Sequence, residues 1–76
     1  MLTVDDIAKG VLISSSEEWA NQLKVLGYMA AININSYRKV LSMIDDARKL
    51  LPDVEWVQAR LAAARDAAVN SWVSTH

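Results

Sequence analysis

The sequence predicts an all-α fold, a short N-terminal helix followed by three longer ones. Three observations lead there. Apolar residues recur at helical spacing, most cleanly at Tyr37, Val40, Leu41, Ile44, Ala47 and Leu51. Capping residues stand where such stripes begin, as in Ser14-Ser15-Ser16 followed by Glu17-Glu18. No stretch alternates polar and apolar residues as a half-buried strand would. At 76 residues the chain is expected to form a single helical domain, 1–76.

Thr3 with Asp6 is an acidic variant of the capping box and opens the first helix. Gly10 is expected to keep that helix short, leaving Val11, Leu12 and Ile13 as a connector laid on the core. Helix two is expected over 16–32, capped by Ser14 with Glu17 or by Ser15 with Glu18. Its core stripe is Trp19, Leu23, Leu26 and Ala30, and Val25, Tyr28, Met29 and Ile32 widen its apolar surface past one face. Asn33 and Asn35 mark a break, because asparagine tolerates left-handed backbone and caps helices. Helix three is expected over 36–51, with Arg38, Ser42, Asp45 and Lys49 toward solvent. Asp45 and Lys49 have the favourable acid-before-base spacing.

Pro52 lacks a donor and disfavours helical geometry at Leu51. So short a link makes helices three and four a hairpin, a single bent rod being the alternative. Helix four is expected over 53–73. Val54, Val57, Leu61, Ala64, Ala68 and Trp72 form one apolar stripe, and Trp56, Ala59, Ala63 and Ala67 form a second, roughly 180–200° away at about 100° per residue. A helix burying one stripe against its own chain normally keeps the opposite side polar. The second stripe is therefore expected to meet another protein. Trp56, Ala59, Ala63 and Ala67 are the candidate dimer interface, with helix two contributing.

A domain this short buries only about 60% of its unfolded surface, and small domains gain stability from disulfides, metals or oligomerisation. Cysteine is absent and the sole histidine, His76, is expected to fray, so a homodimeric bundle is the expected route. The composition, 53% hydrophobic, supplies material for a shared core.

A net charge of −1 argues against a general electrostatic grip on nucleic acid or anionic lipid. No apolar run approaches the roughly 20 residues that span a bilayer, and the N-terminus lacks the pattern of a signal peptide. The expectation is a cytoplasmic protein without membrane contact.

No catalytic constellation, metal site or cofactor loop is expected. Asp5-Asp6, Glu17-Glu18 and Asp45-Asp46 are sequence neighbours, which point about 100° apart on a helix and read as capping and solvation. Ser14 to Ser16 lack an activating histidine, and Gly10 and Gly27 are isolated. Protein binding fits best. Tryptophan, tyrosine and arginine most often carry interface energy. Trp56 is the apolar anchor, Tyr37 and Arg38 are the polar ones, and Tyr28, Met29 and Met43 are further surface candidates. The competing class is a helix-turn-helix-like DNA-binding regulator using the helix that starts at Ser36, with Arg38 and Lys39 on it. A third is a phage structural or assembly subunit.

Trp19, Ser36-Tyr37-Arg38, Leu41, Ala47, Leu51 and Asp53 together resemble a type of small Pseudomonas phage protein, the anti-activator that blocks a LuxR-type quorum-sensing regulator. The likeness covers the last three quarters of the chain, and Pro52 and the apolar N-terminal segment depart from it. The resemblance implies a helical dimer without enzymatic activity that docks on a host protein, either a transcriptional regulator or a motor protein.

Overall fold

The computed structural model describes residues 2–76 and contains four helices, α1 (Val4–Ile13), α2 (Ser16–Ala31), α3 (Ile34–Leu50) and α4 (Glu55–Thr75). No strand occurs among the described residues.

Each of the first three helices starts on a side-chain cap. In α1 the Asp6 amide donates to Thr3 Oγ1 at 3.2 Å and the Thr3 amide to Asp6 Oδ2 at 3.0 Å. In α2 the reciprocal pair is Ser15 and Glu18, at 3.1 and 2.8 Å. Donation from the Ser15 amide first, and from its hydroxyl second, holds the exposed Glu18 carboxyl below the usual carboxylate range. In α3 the cap is Asn33, whose Oδ1 accepts from the Ser36 amide at 2.9 Å. That helix begins at Ile34, two residues before the position expected from sequence.

Gly10 does not shorten α1, and Val11 to Ile13 form its last turn rather than a connector. The glycine serves a close approach instead. A Cβ there would stand 3.3 Å from Cζ3 of Trp19, so the indole lies against the bare backbone. Val11 is fully buried, while Leu12 and Ile13 face outward.

Leu51 is extended, at φ −101° and ψ 153°, as the residue before a proline is driven to be. Tyr37 near the start of α3 meets Trp72 near the end of α4, so the two helices form an antiparallel hairpin rather than a bent rod. Val54 leaves the expected core stripe. It is the N-cap of α4, has no side-chain capping bond, and is exposed. The expected Asp45–Lys49 pair is replaced by an exposed contact of 4.0 Å between Lys49 and Asp46.

α2 and α4 run parallel. Trp19 lies beside Arg60, Gly27 beside Ser71 and Ala31 beside His76, in rising order along both helices. The core draws on all four helices, with Ile7, Leu26, Ile44 and Leu61 the largest of its fully buried side chains. Met43 belongs to it and Met29 packs against it, so neither is the surface residue expected from the sequence. His76 is also not frayed. Its amide continues the helix to the Trp72 carbonyl, its ring stacks 3.8 Å from the Trp72 ring, and Nε2 donates to the Ala31 carbonyl at 3.1 Å.

Candidate protein-binding surface

Small residues let α2 and α4 approach closely. Gly27 presents only backbone to α4, and a Cβ on it would reach ordinary van der Waals contact with Ser71 Cβ at 3.5 Å. Ser71 Oγ donates to the Gly27 carbonyl at 2.7 Å, which ties the two helices at that level. Outside this contact runs an open groove of about 280 Å³ lined by Leu23, Lys24, Gly27, Tyr28, Ala67 and Ser71. Its floor is shallow because glycine and alanine contribute almost no side chain. Tyr28 stands on its rim with 75% of its surface exposed.

Trp56 occupies the far end of the same flank of α4, seven and eleven residues before Ala63 and Ala67. It is 50% exposed and lies over the side chain of Arg60, whose guanidinium carbon is 5.6 Å from its ring centroid and 6.0 Å from that of Trp19. Both distances are within cation–π reach. From there Arg60 donates to the Val11 and Ser14 carbonyls, at 3.0 and 2.7 Å. Those carbonyls end α1, where the helix dipole is negative and no basic residue of α1 itself stands. A cation from α4 thus caps α1. Trp19 is buried, and its Nε1 finds no hydrogen-bond partner, so packing and the neighbouring cation hold the indole.

The residues expected to carry binding do not form one patch. Tyr28 lines the α2–α4 groove beside Ser71, and Trp56 lies farther back along the same flank of α4. Tyr37 is half-buried near the start of α3, where its ring stacks on Trp72 at 5.0 Å, and Arg38 beside it is exposed. The sixteen residues from Trp56 to Trp72 put Trp56 about 24 Å along α4 from that stack, while Tyr28 is level with it on the α2 side. The second stripe of α4 is likewise divided. Ala59 is exposed and Ala63 half-buried, while Ala67 packs beside Gly27 of the chain's own α2.

The role of Arg60 escaped the sequence reading, because its acceptors lie 46 and 49 positions away. The available signal was the uncapped end of α1, whose orphan carbonyls require a donor from elsewhere. Among the described residues, no helix is long and apolar enough to cross a membrane, and no group of three or more His, Asp or Glu side chains is placed to hold a metal ion. No protein-family model, curated protein or solved structure matches the chain.

Proposed function

We propose that this chain acts by contact, as a small non-enzymatic protein-binding module. In this reading it is a phage-encoded homodimer that docks on a host regulatory protein, or on a motor protein, and blocks it. The observation that carries the proposal is the outward display of large apolar side chains, led by Tyr28 beside a groove floored by small residues and by Trp56 farther along the same flank of α4. Exposed aromatic residues of this kind are the usual anchors of protein interfaces. The two separated sets of residues suit two contacts. The α2–α4 flank, with Trp56, Ala59 and Ala63, faces a second copy. The start of α3, with Arg38 and the outer edge of Tyr37, faces the host protein.

The test is to mix the purified chain with a LuxR-type regulator bound to its operator. A complex in gel filtration and release of the operator are expected, and Arg38→Glu should weaken both. Undisturbed operator binding at saturating chain removes the inhibitor reading. A DNA-binding reading draws on Arg38 and Lys39, both exposed near the start of α3. A shift assay on the chain alone separates it, since phosphate-driven binding weakens steeply as salt rises.

A further inference from the structure

We infer that the α2–α4 groove receives a second copy of this chain in an antiparallel, two-fold arrangement, with Glu17 of each copy opposite Lys24 of the other. This rests on the dimer reading above and adds its register and contacts.

In a two-fold contact the same patch serves both sides, so the patch must be its own complement. Glu17 and Lys24 meet that condition. Both are exposed, and the one ion pair among the described residues joins Lys49 to Asp46 instead. They are seven residues apart, which on a helix is the same flank about 10.5 Å along the axis. That flank is the groove's, since Lys24 lines it. A two-fold axis passing between Ala20 and Asn21 brings each acid onto the other copy's base, twice over. A parallel pairing sets like charge against like.

The aromatic residues give the register independently. The axis that pairs position 17 with 24 pairs position 28 with 13. Ser71 is level with Gly27, and Trp56 lies fifteen residues before Ser71 on a helix parallel to α2. Trp56 therefore stands level with position 12 by that contact, and with position 15 by the nearer one between Arg60 and Trp19. The charges and the aromatics thus agree to within two residues, about 3 Å along the axis. The axis lays the exposed Tyr28 of one copy over the half-exposed Trp56 of the other.

The area also suffices. A standard interface takes about 800 Å² from each partner. The molecule exposes 4760 Å² and measures 33 × 23 × 22 Å, so such a contact takes about the whole of one long face. α4, at 21 residues, defines the long direction. Gly27 and Ala67 keep the floor low enough for the second copy's α2 to settle close.

The experiment is sedimentation equilibrium on the wild type, Glu17→Lys, Lys24→Glu and the double swap, with circular dichroism confirming equal helicity. Each single swap breaks both symmetric pairs and should raise the dimer dissociation constant about tenfold. The double swap should restore it. Glu17 and Lys24 are too far apart to pair within one chain, so such rescue arises only between copies. A dimeric wild type whose single swaps change nothing, or whose double swap stays as weak as the singles, overturns the register but leaves the dimer standing. A wild type that is monomeric throughout overturns the dimer reading itself. Because Glu17 lies in the first turn of α2, its swap can cost helicity, and a cysteine experiment covers that case. The native chain has no cysteine. A mixture of Glu17→Cys and Lys24→Cys chains should oxidise to a cross-linked dimer, and neither variant alone should. Cross-linking of either variant alone contradicts the antiparallel arrangement.

Discussion

The two ends of α4 each hold three groups in face-to-face contact, yet they are built on different physics. At the start of α4, Trp56 and Trp19 flank the Arg60 cation, which is hydrogen-bonded to two carbonyls of a distant helix end. Toward its close, Tyr37, Trp72 and His76 stack ring on ring, all of them half-buried or exposed. The first cluster closes contacts across 46 and 49 positions and satisfies backbone groups that nothing else reaches. The second covers the mouth of the α3–α4 hairpin. Its members add area and stacking, and its one long-range polar bond, from His76 to the Ala31 carbonyl, is exposed. The first end is therefore expected to govern whether α1 stays docked, and the second to tune local stability.

Arg60→Met breaks the first end most directly. It keeps an apolar stem but removes the charge and both donors, and hydrogen bonds from charged groups contribute about 1.5–3 kcal/mol each. A loss of about 3 kcal/mol in urea unfolding is expected, with faster amide exchange in the last turn of α1. A variant as stable as the wild type would mean that the carbonyls find water at no cost and that α1 is held by its apolar contacts alone. Trp72→Ala breaks the other end. Removing a half-buried indole with two stacking partners should cost about 2 kcal/mol. The faster exchange should stay within the last turns of α4 and the first of α3, and spread of the effect to α1 would erase the distinction between the ends.

The smallest effect concerns a cap outside both clusters. Glu18 has its folded pKa lowered by the Ser15 hydrogen bonds, so its contribution is present above the unfolded glutamate pKa, about 4.3. The contribution is lost as pH falls through the lower folded value. Wild type and Glu18→Gln should therefore differ in stability at pH 7 and converge in acid. A difference that persists at pH 2 would show that the capping geometry, not the charge, matters.

The contrast between the ends also explains what the sequence could and could not reveal. Helices and their starts were legible because the signals are local. Thr3 with Asp6, Ser15 with Glu18, and Leu51 before Pro52 each act within a few residues. The apolar stripe of α3 was legible for the same reason, since one helix face meets one core. Gly10 looks locally like a helix breaker, but its purpose lies in another helix, under the Trp19 ring. Arg60, between Ala59 and Leu61, looks like a solvent-facing cation until the end of α1 is brought to it. The second stripe of α4 was visible as a pattern, but the pattern could not show that Ala67 would be claimed by Gly27 and Trp56 left half outside. Sequence periodicity reports how much apolar surface a helix carries, and only the packing decides which chain covers it.

The central claim is that the surface left between Tyr28 and Trp56 belongs to a contact with another copy. Sedimentation equilibrium of the wild-type chain, followed across a wide concentration range, tests it most directly. The account predicts a mass that rises to twice that of the chain and stops there. A single-chain mass at every concentration would contradict it.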